Sequence, residues 1–280
     1  MGILLGIGTA LTASIQNTLF KSLPGSDPFA ISLVRWLIAI PPLVILTTVL
    51  HDWFLPEPIF WVLLGISLPT ELLLSYLYIR AFQISPQSVV GPLFSFSTIF
   101  LLPFGILFLG EWPSVLGIAG IASIAVGPFF LGKEGVSWRG WQRMFSERGS
   151  TFIFLAAFLA AVGVTITKFS FRYVPPLQFA SYALTASVVV TTCIVIARGA
   201  NVRSLFSTRT IGAGLAFSAG QMMHFTGLSL LFAVYFISLK RLSIVFDVFM
   251  GRFVHGEDHF RERLIGAVLM VAGVILIAIG

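Results

Sequence analysis

Ten apolar stretches, each near the ~20 residues that a bilayer-spanning helix needs, run through this chain with little between them. They fall at about 2–21, 28–50, 58–80, 86–108, 113–132, 150–172, 176–198, 209–229, 232–254 and 262–280. The links are short and carry residues that stop helices, as in Pro24-Gly25-Ser26-Asp27-Pro28 and Pro175-Pro176. Only 10% of the residues are charged and 57% are hydrophobic, whereas a soluble domain carries about 25% charged residues. The pattern predicts an all-α membrane protein of ten transmembrane helices. The first run, Met1 to Phe20, has no basic leader and feeds straight into further spans, so it reads as a retained helix and not as a cleaved signal.

The longest polar stretch, Lys133 to Gly149, lies near the middle, which divides the chain into 1–132, a central loop at 133–149, and 150–280. The two outer parts resemble each other. Gly110-Glu111 matches Gly256-Glu257, Gly120 matches Gly266, and Val126-Gly127 stands opposite Ala272-Gly273, all at an offset of 257 − 111 = 146. Earlier in the halves, Phe29-Ala30 matches Phe179-Ala180 at an offset of 150. Five spans is an odd number, so the second copy must enter the membrane in the opposite sense. Two inverted five-helix repeats are the arrangement of many secondary transporters, with the site between the halves near the bilayer midplane.

Charge sets an orientation. Twelve basic residues lie in the loops on the side opposite the termini, from Lys21 to Arg263, against Arg172 alone on the terminal side. The positive-inside rule then places both termini outside the cytoplasm of a bacterial plasma membrane. The net charge of +6 does not point to nucleic acid, because the cations sit in short loops with no basic tract interleaved with exposed aromatics. Cys193 is the lone cysteine and falls inside a span, and the four histidines form no HExxH pattern, so no metal site and no cofactor is predicted. There is no phosphate-binding Walker motif either, which leaves ion coupling or substrate exchange to drive transport.

Polar residues inside the spans are the candidate site, since ionisable groups at membrane depth face protein or a wet cavity. Lys240 and Arg241 are adjacent in the ninth span and point about 100° apart on a helix, so they cannot both escape along one wall. Arginine offers a planar bidentate fork and lysine a point charge, a pairing suited to phosphate or carboxylate. The structural alternative is that they neutralise Glu71 or Asp247. Lys168 either completes a basic cluster or snorkels. Glu71, central in the third span, is a proton-coupling candidate or an ion-pair partner. Its repeat mate at the 150 offset is Gln221, with His224 one turn on, and these two line a cavity or form interhelical hydrogen bonds. Gln16 and Asn17, with Ser14 and Thr18, make a polar band in the first span that should face protein or water. Tyr76, Tyr78 and Tyr235 either cap such a cavity or pack. Arg35, beside Trp36 in the second span, reads as packing or interface. Glu111 and Glu257 each stand at the start of a helix, where a carboxylate favours the positive end of the macrodipole. Gly120/Gly127 and Gly266/Gly273 recur every seven residues and read as a close helix contact, internal or between two copies of the chain.

Taken together, Asp27-Pro28-Phe29-Ala30-Ile31-Ser32-Leu33-Val34-Arg35, Phe108-Leu109-Gly110-Glu111-Trp112 and Phe253-Val254-His255-Gly256-Glu257 resemble the drug/metabolite transporter superfamily, in its EamA type with two five-helix repeats. The Lys240-Arg241 dyad is further similar to the ninth-helix Lys-Arg pair of triose-phosphate translocators. The likeness implies an alternating-access carrier whose helices 1, 3, 4, 6, 8 and 9 line the cavity, and termini inside, the reverse of the orientation that the charges predict. The expected substrate is a small polar metabolite, phosphate- or carboxylate-bearing, bound by Lys240, Arg241, Lys168, Glu71, Gln221, His224, Gln16, Asn17 and Tyr235. Competing readings are a proton-coupled amino-acid or drug exporter built on Glu71 and, from a different class, a lipid-carrier flippase or membrane scaffold. The expected partners are that soluble substrate, membrane lipids and, through the glycine faces, a second copy of the chain; an enzyme is not expected, because no acidic catalytic cluster is present.

Overall fold

The computed structural model describes residues 1–21, 26–50, 53–85, 90, 93–127, 130, 148–202, 205–206, 208–246 and 260–280. Within them the chain forms ten helices and no strand: α1 (Gly2–Lys21), α2 (Pro28–Leu50), α3 (Pro58–Ile84), α4 (Phe96–Phe104), α5 (Val115–Val126), α6 (Arg148–Ser170), α7 (Pro176–Ala197), α8 (Thr208–Leu230), α9 (Ala233–Lys240) and α10 (Phe260–Ile279). Each matches one apolar stretch of the sequence. The central stretch 131–147 and residues 247–259, which include Asp247 and Glu257, lie outside the described residues.

The helix ends follow from local chemistry. Pro28, Pro58 and Pro176 open their helices, where a missing N–H is not needed. The Asp27 carboxylate caps α2 by accepting from Phe29 N at 2.8 Å, and Ser114 Oγ caps α5 by accepting from Gly117 N at 2.9 Å. Gly110 ends the fourth span and Gly199 follows the seventh, both at positive φ (70° and 62°), the left-handed turn that suits glycine. The fourth span finishes in a π-helical turn, Gly105–Leu109, just after Pro103.

The surface is inverted relative to a soluble protein. Val62, Ile66, Val189, Ile196, Leu215 and Val268 face outward, while Ser32, Ser67, Ser75, Ser97, Ser187 and Thr191 are buried. Four of the helices, α2, α3, α6 and α7, are long and apolar enough to cross a membrane by length and composition. Outward apolar side chains are what lipid requires, and several of the inward hydroxyls bond across helices or back to their own helix, although Thr191 Oγ1 has no hydrogen-bond partner among the described residues. Ser32 and Ser75 join α2 to α3 at 2.9 Å, and Thr47 joins α2 to Ser181 of α7 at 3.0 Å.

The packing reveals the twofold relation of the halves. Helix α1 lies against α8 and α3 against α6, a pairing that exchanges when each helix is replaced by its repeat mate, while α2 packs on its mate α7 and α5 on its mate α10. On the last pair, a Cβ built on Gly120 would stand 2.6 Å from the Gly273 carbonyl oxygen, and one built on Gly127 would stand 3.0 Å from that of Gly266. As the residue number rises on α5 it falls on α10, so the two equivalent helices are antiparallel and their repeats are inverted. Ser123 sits at the crossing, donating to the Leu269 carbonyl at 2.7 Å, and 269 − 123 = 146 is the repeat offset itself. The glycine faces are therefore used within the molecule: they let the backbones of the fifth and tenth spans touch.

Candidate functional site

A cavity of about 240 Å³ opens between the two repeats. Helices α1, α3, α6, α8 and α9 contribute to its wall, as do Phe94, Ser97 and Leu101 of the fourth span. To these helices the structure adds α7, through Phe179, Ala183, Leu184 and Ser187, and α2, through Arg35.

The stripe Glu71, Ser75, Tyr78 on α3 forms the centre of one wall, because spacings of four and three residues stack side chains on one helix face. Glu71 is exposed, and the surface it meets is that of the cavity. Among the described residues it forms no ion pair and accepts no hydrogen bond, though it lies within electrostatic reach of Arg35 and Lys240. Arg35 reaches the same space from α2. Its Nη2 donates to Ser75 Oγ at 3.3 Å and its guanidinium lies 4.4 Å over the Phe217 ring.

The opposite wall is the ninth span, which does not run straight through. Helix α9 stops at Lys240, Arg241 and Leu242 form a tight turn with Arg241 N bonded to Ser238 O at 2.9 Å, and helix resumes at Ser243. Lys240 thus occupies a helix C-terminus, the negative end of the macrodipole, where a cation is favoured. Lys240 is half-buried, whereas Arg241 is only 7% exposed. Arg241 Nη2 donates to Ser97 Oγ at 2.8 Å, and the guanidinium rests 4.3 Å over Phe94. The fourth span breaks at the equivalent point: Ser95 forms a turn, with Thr98 N bonded to Ser95 O at 3.0 Å, and 241 − 95 = 146. Both spans thus tighten into i→i+3 turns at matched positions facing one cavity, with the backbone still in the right-handed helical region.

Of the residues singled out in the sequence, Lys240, Arg241, Glu71, Gln221, His224 and Gln16 all line the cavity. Gln16 Nε2 donates to Thr12 O at 3.2 Å, and His224, 8% exposed, packs between Phe225 and Phe236 with both ring separations at 5.3 Å. Asn17 follows Gln16 on α1, and its side chain lies outside the described residues.

Two residues are held elsewhere, each for a physical reason. Lys168, at the end of α6, pairs with Glu111 and donates to the Leu231 carbonyl, so its charge is already matched away from the cavity. The Tyr235 hydroxyl accepts from Ser114 N at 3.0 Å, fixing the start of α5 against α9. Glu111 also departs from expectation. It does not cap its own helix, a task that falls to Ser114; instead its Oε2 accepts from Ala233 N at 2.6 Å, placing the carboxylate at the N-terminus of α9. Glu111, Lys168 and the start of α9 thus form a latch on the terminal side of the cavity. Beneath it Phe171, Phe179 and Phe225 meet with centroids 5.9–6.5 Å apart.

Arg35, expected to serve packing or an interface, lines the cavity instead, and Ser75 and Ser97 were not among the residues singled out. Arg35 carried a usable signal, a cation at membrane depth, and the two serines acquire significance only once each is seen to hold a guanidinium.

The EamA-like transporter family matches residues 1–132 and again residues 147–279. A solved structure described only as "Crystal structure of protein" is similar over 99% of this chain and 96% of its own length, with a TM-score of 0.73 at 15% identity, a likeness of fold. None of the curated proteins matches the sequence. With ten helices in two repeats, a polar cavity between them and a family match over nearly the whole length, this chain is an integral membrane protein of the drug/metabolite transporter type and belongs to the EamA-like transporter family.

Proposed function

We propose that the protein is a secondary carrier for a small anionic metabolite bearing a phosphate or a carboxylate, moved by alternating access between the two repeats. The observation that carries this reading is charge. Among the described residues, three cations, Arg35, Lys240 and Arg241, line one cavity at membrane depth against one carboxylate, Glu71. Three positive charges less one leave a formal +2. A net positive wall at membrane depth favours a bound anion, which brings the opposite charge into the same low-dielectric space. Lys240 is the contact residue. Arg241, tied to Ser97 and Phe94, adds field and holds its fork at a fixed angle. Motion between the repeats would part the Glu111–Lys168 latch to open the terminal side. The carrier would sit in a bacterial plasma membrane with its termini outside, as the loop charges favour.

A second reading, proton-coupled export of an amino acid or drug, draws on Glu71, whose carboxylate is open to the cavity and forms no ion pair among the described residues. One experiment separates the two. In proteoliposomes, Lys240→Ala should abolish exchange of labelled organophosphate or carboxylate, at least about a hundredfold for a lost charge-assisted contact, while Glu71→Gln retains it. Flux that needs a proton gradient and disappears in Glu71→Gln but survives in Lys240→Ala would favour the exporter and sink the anion carrier.

A further inference from the structure

Building on the anion-carrier reading, we propose that Arg35 and Lys240 are two separate anchors, and that the site selects small dianions with one negative group at each end. The two side chains enter the cavity from different walls. Arg35 comes from α2, held by Ser75 of α3 and stacked on Phe217 of α8. Lys240 comes from the broken end of α9, next to the fourth span that holds Arg241. Both are half-buried and line the cavity, so each presents its charge to a bound molecule.

Glu71 lies within the field of both. Its negative charge is what separates a one-ended from a two-ended ligand. A single compact anion drawn toward both cations would sit against this carboxylate and be repelled. A molecule with a negative group at each end and a neutral, hydroxyl-bearing or methylene middle places its charges on Arg35 and Lys240 and its uncharged part beside Glu71. The formal +2 of the cavity is matched by the same molecule. Dicarboxylates, and phosphate esters that also carry a carboxylate, have this form.

The test uses the full chain in detergent and a series of straight α,ω-dicarboxylates from malonate to suberate, which hold the charge at −2 while the span increases. Glycerol 3-phosphate serves as the one-ended dianion. Two fixed anchors require an optimum length, with binding to the unaltered protein about tenfold tighter at an intermediate member than at either end. In Arg35→Gln the series should flatten, and the affinity ratio of the best dicarboxylate to glycerol 3-phosphate should fall about tenfold; Arg35→Lys should recover part of it. A flat or steadily changing series in the unaltered protein overturns the two-anchor site, whether or not Arg35→Gln folds, and so does an Arg35→Gln that weakens both ligand types equally. Binding of glycerol 3-phosphate with no length optimum leaves the anion carrier standing and removes only the second anchor. Failure of every anion to bind removes both.

Discussion

Glu111 shows how much one carboxylate can organise at membrane depth. It is 6% exposed, yet both of its oxygens are used, one by Lys168 and one by the first backbone N–H of α9. A buried pair of this kind is expensive to break from one side, because the remaining charge is stranded. Glu111→Gln and Lys168→Met should therefore each destabilise the protein by about 3 kcal/mol, while the double variant should cost less than the sum by about 1 kcal/mol or more. Denaturant unfolding of the four proteins in detergent measures the cycle, and strictly additive losses would show that the latch is no unit. At the same scale, Arg241 differs from Lys240 in what holds it: Ser97 and Phe94 hold its guanidinium, while the neighbouring lysine stands half-buried at the end of α9.

Among the elements, the fifth and tenth helices carry the closest approach of the two halves. The backbones at Gly120 and Gly273 are so near that a methyl group on either would press on the other's carbonyl oxygen, at 2.6 and 2.7 Å. Gly120→Ala should lose about 1–3 kcal/mol despite alanine's better helix propensity, because the obstructing atom is backbone and cannot turn aside. Gly65, with no atom within 4 Å of its would-be Cβ, is the control: alanine there should be neutral or stabilising by up to about 1 kcal/mol. Thermal unfolding of both variants checks the pair, and equal behaviour would contradict the antiparallel contact. The breaks at Ser95 and Arg241 belong to this scale too. In the ninth span the carbonyls of Ser238 and Leu239 accept from Arg241 N and Leu242 N at 2.9 and 3.0 Å, a tightened turn that ends α9 with Lys240 beside the cavity.

For the whole molecule, inversion has a functional consequence. A pseudo-twofold axis lying in the membrane plane gives each half the same contacts from the opposite side, so on the proposed alternating-access reading a state open to one face would have a counterpart of similar energy open to the other. The direction in which the chain sits is a separate matter, governed by loop charge. With the basic residues concentrated opposite the termini, alkaline phosphatase fused to either terminus should be active in a bacterial host, and a green fluorescent protein fusion dark. The reverse pattern would place the termini in the cytoplasm.

The sequence by itself determined the class of fold, because apolar length is a direct requirement of the bilayer and every one of the ten stretches had to become a helix. The constant 146-residue offset and the odd number of spans per half also implied inversion before any contact was known. Local pattern could not say what a charged side chain meets across the bundle. Lys168 and Lys240 look alike in sequence, each a lysine in an apolar run, but one ends beside Glu111 and the other faces an open cavity. Arg35, read as packing, became part of the site only when α3 and α8 brought Ser75 and Phe217 to it. Burying a charge is costly enough that its partner decides its role, and those partners lie 40 and 182 residues further along the chain, where only the tertiary fold brings them into contact.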